Sequence, residues 1–141
     1  MFTAAHKHSN DKLYFFDADV YWRFDLEAGK LDRGYPRQIS RHWRGAPDAP
    51  DAIIEGQGDR ADKVYFFKGT QYWRLDVPKG RVDAGYPKQI TQHWPGVFAR
   101  GVDAAFINPE NNKMYFFRGR DYVRFDFAKG KAAPGYPTRI S

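Results

Sequence analysis

The chain has 141 residues, a formal net charge of +6 from 23 basic and 17 acidic side chains, no cysteine, and 18 % aromatic residues. That length suits one domain, and the lack of cysteine excludes disulfides and thiolate metal sites. No apolar run approaches the ~20 residues that span a bilayer, Met1 to Asp11 lacks the apolar stretch of a signal peptide, and the basic balance, which would suit anionic partners, is scattered without a run of five like charges, as on a solvated mixed surface.

In chain order, Thr3-Ala4-Ala5 reads as a short strand of small residues. Lys12 to Phe16 and Tyr21 to Asp25 read as an aromatic hairpin. Gly34-Tyr35-Pro36, Ile39 and Trp43-Arg44-Gly45 follow. The series then repeats, most regularly in its second copy. Asp51 to Ile54 is a strand, Val64 to Phe67 another, Lys68-Gly69-Thr70 a turn and Tyr72 to Asp76 the return strand. Arg81 to Asp83 is a short outer strand that Gly85-Tyr86-Pro87 ends. Pro87 to Trp94 has the pattern of a short helix, with Pro87 in its first turn and Ile90 and Trp94 on one face. The third copy runs from Val102–Phe106 through Lys113 to Ser141.

The segments Lys12–Ser40, Lys63–Thr91 and Lys113–Ser141 align without gaps, at offsets of 51 and 50 residues, and agree at 12 positions. The shared positions include Lys-x-Tyr-Phe-Phe, Tyr-x-Arg-x-Asp, Gly-Tyr-Pro and a closing Ile. The periodicity within segments is nearer two than 3.6, so a helical repeat is excluded. Four short strands and a helical turn per unit, repeated, describe propeller blades. The expected architecture is all-β: one domain over 1–141, with blades at about 1–47, 48–98 and 99–141.

The pattern Asp-Ala-Ile/Ala, Lys-x-Tyr-Phe-Phe-x-Gly-x-x-Tyr-Trp-Arg, Gly-Tyr-Pro-x-x-Ile and Trp-Pro-Gly resembles the hemopexin repeat over nearly the whole chain. It fits best from Asp51 to Gly96. Copy one departs at Ala18 and Arg44, and copy three at Val123. The resemblance implies four-stranded blades around a central tunnel. A complete ring in that family has four blades, so three copies form an incomplete hemopexin-like β-propeller. Exposed strand edges invite pairing, so a homo-oligomer or an additional blade is the expected cover. The resemblance is to cysteine-poor bacterial or plant-type members, because animal relatives join their first and last blades by a disulfide.

The resemblance also implies that the first strand of each blade lines the tunnel with main-chain oxygens aimed at ions. Hard cations take oxygen ligands. Carried over, the ring is Thr3, Asp51 and Asp103, with a second layer two residues on at Ala5, Ile53 and Ala105. Calcium or sodium, with chloride, are the expected ions. His6 and His8 form an i, i+2 pair able to touch a metal or haem, or simply exposed. No axial-ligand signature for haem is present. His42 and His93 recur with the repeat and suggest a helix-end role.

The Arg-x-Asp pairs Arg23/Asp25, Arg74/Asp76 and Arg124/Asp126 recur in every copy, which suits pairing within or between blades. No G-x-S-x-G, H-E-x-x-H, P-loop or Rossmann fingerprint is present. The charge and aromatics would suit base stacking, but Tyr-Phe-Phe falls at a core-hairpin position, which argues against nucleic acid. The reading is a non-catalytic binding module for a protein or small ligand, without membrane attachment. The alternatives are a haem- or polyamine-binding protein, or a structural, storage or oligomerising fragment. Nothing in the sequence assigns a compartment.

Overall fold

A computed structural model describes residues 1–141 and contains three antiparallel sheets. The first blade holds β1 (Ala4–Lys7), β2 (Lys12–Asp17), β3 (Val20–Asp25), β4 (Lys30–Leu31), β5 (Arg37–Gln38) and α1 (Ile39–His42). The second holds β6 (Ala52–Glu55), β7 (Lys63–Lys68), β8 (Gln71–Asp76), β9 (Arg81–Val82), β10 (Lys88–Gln89) and α2 (Ile90–His93). The third holds β11 (Ala104–Asn108), β12 (Lys113–Arg118), β13 (Asp121–Asp126), β14 (Lys131–Ala132) and β15 (Thr138–Arg139). The inner strand β6 packs against both β1 and β11.

The four-stranded blades of the sequence analysis are present, with the outermost strand split in two. In blade one, β4 pairs with Phe24 and Asp25 while β5 pairs with Val20 and Tyr21, both along the edge of β3 that β2 leaves free. The Gly-Tyr-Pro segment lies between the halves, and its Tyr35-Pro36, Tyr86-Pro87 and Tyr136-Pro137 bonds are cis. This corrects the expected helix from Pro87 to Trp94. Lys88 and Gln89 pair with Tyr72 and Gln71, so only Ile90–His93 is helical and Pro87 lies outside it. The inner strands also start later than read. Thr3, Asp51 and Asp103 sit one residue before them, their amides donating to the carbonyls of Phe16, Phe67 and Phe117 at 2.8, 2.8 and 2.7 Å.

Strand alternation gives each blade two unlike faces. Tyr14, Phe16 and Tyr21 of blade one face Phe66 and Leu75 of blade two. Tyr65, Phe67 and Tyr72 of blade two face Met114, Phe116, Val123 and Phe125 of blade three. A buried tryptophan follows each helix and fills the space between sheets. Trp43 lies 5.4–5.7 Å from the rings of Tyr14, Phe16, Tyr21 and Phe66. Trp94 lies 5.1–5.6 Å from Tyr65, Phe67, Phe116 and Phe125. The repeat-equivalent rings of blade three, Tyr115, Phe117 and Tyr122, stack on one another half-buried, with Phe106 47 % exposed against them.

The Arg-x-Asp motif acts within each blade, but its two members do not pair with each other. Asp25, Asp76 and Asp126 accept from Lys12, Lys63 and Lys113 at 2.7, 2.9 and 2.7 Å. The lysine hydrogen bond holds each of these carboxyls below the usual range. Arg23 and Arg74 bind a different residue, Asp32 or Asp83, at 2.6 and 2.7 Å. The sequence spacing shows that the motif shares a strand face, but the partner arrives from the residue just beyond the next strand.

At the hairpin tip Gly69 and Gly119 have φ of 57° and 58°, and Ala18 takes the same left-handed turn at 50°. A side chain there is strained by roughly 1–2 kcal/mol, while glycine loses more chain entropy, roughly 0.5–1 kcal/mol. Ala18→Gly is expected to stabilise the fold by about 0.5 kcal/mol, and Gly69→Ala, whose Cβ would meet no atom within 4 Å, to destabilise it by about the same amount. Denaturant midpoints of the two variants check both signs.

Candidate functional site

The inner strands bring together two sets of side chains, one at each end. At the end where the strands begin, a cavity of about 360 Å³ is lined by Thr3, Ala5, Asp51, Asp103 and Ala105 among others. Five of the six residues expected around an axial ion thus meet in one place. The sixth, Ile53, is not in that lining and its side chain is 1 % exposed in the core between blades one and two. The Asp51 and Asp103 carboxylates accept the amides of Gly69 and Gly119 at 2.9 and 2.6 Å, holding the hairpin tips. Their side chains are therefore committed to the blades, and only main-chain oxygens remain for a ligand. The carbonyls of Thr3, Asp51 and Asp103 accept no backbone hydrogen bond.

At the opposite end, a cavity of about 640 Å³ is lined by His6, His8, Glu55, Gly56, Ile107 and Asn112 among others. His6 is in β1, paired opposite Tyr14, and corresponds by register to Ile54 and Phe106 in the other blades. It occupies a core position and is 6 % exposed. His8 lies just beyond β1, where its amide donates to the Lys12 carbonyl at 2.9 Å and starts the turn into β2. Glu55 ends β6 in the neighbouring blade. His6 Nε2 and His8 Nδ1 are 3.3 Å apart, and His8 Nδ1 is 2.6 Å from Glu55 Oε1, which also accepts the Ser9 amide at 3.0 Å. One donor atom from each of the three residues lies within 4.8 Å of the others.

Burial, then the neighbouring His8, lowers His6 to about 4. Burial pushes Glu55 upward, but the hydrogen bonds from His8 and the Ser9 amide outweigh it and hold the carboxyl at about 2. At neutral pH His6 therefore offers a neutral imidazole and Glu55 a carboxylate, as metal ligation needs, while His8 would give up its Nδ1 hydrogen bond to Glu55 to ligate. Zinc–nitrogen and zinc–oxygen bonds of about 2.1 Å place tetrahedral ligand atoms about 3.4 Å apart. The His6–His8 separation already suits that spacing, and His8–Glu55 would open from its hydrogen-bond length. The sequence pointed to His6 and His8 but missed Glu55, which comes from another blade. Its one local signal is that it breaks the repeat, because Lys7 and Ile107 stand at the equivalent positions. His42 and His93 end their helices, exposed, against Tyr21 and Tyr72.

The family described as Hemopexin matches residues 2–48, 51–97 and 102–141, one match per blade. The chain belongs to the hemopexin family. Among curated sequences it is 41 % identical over 96 residues to stromelysin-3 of Xenopus laevis, covering 68 % of this chain and 18 % of that protein. It is 37 % identical over 97 residues to interstitial collagenase of Bos taurus, covering 68 % and 20 %. The chain thus matches about a fifth of the length of these relatives, which are animal proteins despite its lack of cysteine. Among solved structures, hemopexin fold protein CP4 from cow pea gives a TM-score of 0.77 at 23 % identity, covering 97 % of this chain and 66 % of that one. A plant lectin with two metal binding sites from Cicer arietinum gives 0.74 at 24 % identity, covering 99 % and 64 %. These likenesses establish the fold. No helix is long and apolar enough to cross a membrane.

The buried His6 makes the hemopexin-type fold acid-sensitive. The unfolded chain binds a proton there near pH 6.5 and the folded chain not until about 4, so stability is lost as pH falls through that window. The full effect is about 3 kcal/mol. Glu55, lowered from 4.5 to about 2, adds a further loss over that lower range. Urea midpoints measured from pH 7 to 4 are expected to fall less steeply for His6→Gln than for the parent chain.

Proposed function

We propose that the chain is a non-catalytic hemopexin-type binding module whose ligand is a divalent transition-metal ion, held by His6, His8 and Glu55. The convergence of these three donors from two blades on one cavity carries the reading. Two imidazoles and one carboxylate suit zinc, copper or nickel better than calcium or magnesium. Three protein ligands leave a fourth coordination position toward the cavity, where water or a ligand's donor atom would bind. Because the donors span β1 and β6, the ion would also cross-link two blades. Calorimetric titration with zinc chloride after chelator treatment is expected to give one site per chain. His8→Ala and Glu55→Gln should each weaken it by roughly 100-fold or more, since loss of outer-shell partners alone costs 10–100-fold. Unchanged affinity in both variants would remove the site. A haem titration whose absorbance change His8→Ala abolishes would move the assignment from metal ion to haem.

A hard cation, calcium or sodium with chloride nearby, is proposed at the other mouth, where the free carbonyls of Thr3, Asp51 and Asp103 adjoin one cavity.

Closure of the arc by another blade, from a second copy or a longer chain, is favoured by one further observation. Tyr115, Phe117 and Tyr122 are half-buried where their counterparts Tyr65, Phe67 and Tyr72 are covered by Trp94 and blade three. Light scattering on a sizing column is expected to give a mass above that of one 16.4 kDa chain. A monomer would exclude closure by self-association.

A further inference from the structure

Blade three departs from the other two at one position of its charge network. In blades one and two a single carboxylate oxygen bridges a lysine and an arginine. Asp32 Oδ2 lies 3.1 Å from Lys12 Nζ and 2.6 Å from Arg23 Nε. Asp83 Oδ2 lies 2.9 Å from Lys63 Nζ and 2.7 Å from Arg74 Nε. The equivalent residue in blade three is Ala133.

The backbone pairing, the arginine–tyrosine contact and the Lys–Asp pair around that position are retained, while the flanking residues become Ala132 and Pro134. The Ala133 amide donates to the Arg124 carbonyl at 2.8 Å, as Asp32 does to Arg23 at 2.9 Å and Asp83 to Arg74 at 2.8 Å. Arg124 keeps its place over Tyr136 at 5.4 Å from the ring centre, against 5.2 Å for Arg23 over Tyr35 and 5.1 Å for Arg74 over Tyr86. Lys113 keeps Asp126 at 2.7 Å. Only the bridging carboxylate is gone.

Its loss leaves Arg124 Nε buried with no hydrogen-bond partner. An unsatisfied buried donor costs the fold more than the bond itself was worth. A cavity of about 260 Å³ adjoins the position, lined by Lys113, Arg124, Asp126, Lys129, Lys131 and Ala133 among others. Four cationic side chains face one carboxylate in that lining. The arginine is already posed by the tyrosine ring, so little ordering is needed to bind.

We propose that this cavity is a binding site for a carboxylate ligand, one oxygen of which takes the place that Asp32 and Asp83 Oδ2 hold in the other blades. The guanidinium edge and the ammonium reproduce a geometry that already binds a carboxylate twice in the same chain. A monoanion is favoured over a phosphate dianion because Asp126 shares the lining.

The test titrates the full chain with sodium acetate at pH 7 against sodium chloride at equal ionic strength. It follows the Arg124 Nε–H resonance and the melting temperature. Acetate is expected to shift that resonance saturably in the millimolar range and raise the melting temperature by about 3 °C. Ala133→Asp should have the higher melting temperature without acetate and show no response to it, and Arg124→Gln should also show none. An amidated Gly-Glu-Gly peptide separates the sources. A stronger response than acetate assigns the carboxylate to an acidic side chain of a partner, and an equal one to a free organic acid. No saturable shift of the Arg124 resonance in the parent chain overturns the proposal, as does a response to phosphate without one to acetate. The resonance is read in the parent chain, so the outcome does not depend on either variant folding.

Discussion

The packing of one tryptophan between each pair of sheets is the constraint on which the rest of the chain depends. A blade of four short strands buries too little on its own to be stable. Its faces are covered only when the next blade arrives, and Trp43 and Trp94 make that contact continuous. Each indole touches β2 or β7 rings of its own blade and a ring of the following one. The indole nitrogens are buried without a hydrogen-bond partner, enclosed by aromatic faces that offer at best a weak N–H···π interaction. Shape has prevailed over polar satisfaction there. The single turn Ile90–His93, with Gln89 and Gln92 capping its start, ends directly at the tryptophan that fills the gap.

Much of this was legible in the sequence. Tyr-Phe-Phe and Tyr-x-Arg-x-Asp alternate with period two, and their recurrence in three copies identified hairpins, blades and family likeness from local information. The parts that were not legible involve partners distant in sequence or backbone states without a residue code. Pro87 has the composition of a helix start, but Lys88 and Gln89 pair with the outer edge of β8 and postpone the helix. The Arg-x-Asp spacing shows a common face, yet the arginine's partner, Asp83, lies nine residues on, across a turn. The second layer of the axial ring is read as main-chain oxygens, and the buried Ile53 side chain, packed in the interblade core, does not bear on its carbonyl.

The candidate chemistry lies where the copies disagree. His6 stands where blades two and three have Ile54 and Phe106, His8 where they have Gly56 and Asn108, Glu55 where the others have Lys7 and Ile107, and Ala133 where the others have Asp32 and Asp83. Residues common to all three copies are explained by packing, turns and the Lys-Asp-Arg network. A repeat protein supplies its own internal control in this respect. Subtracting the shared pattern leaves a short list of side chains that the scaffold does not require. Glu55 is on that list, although it lies far from both histidines in sequence and reaches them only across the blade boundary.

The unlike faces of each blade have a geometrical consequence. One side of blade two presents Phe66 and Leu75, the other Tyr65, Phe67 and Tyr72, so adjoining blades meet front to back. A contact of that kind is heterologous: it has no two-fold axis, and every junction leaves one unlike face free at each end of the stack. Its growth is therefore polar, ending only when the accumulated rotation returns to the start as a ring or continuing as an open spiral. The angle between successive sheets, a property of individual side chains such as Trp94 and Val123, thus becomes a determinant of quaternary symmetry.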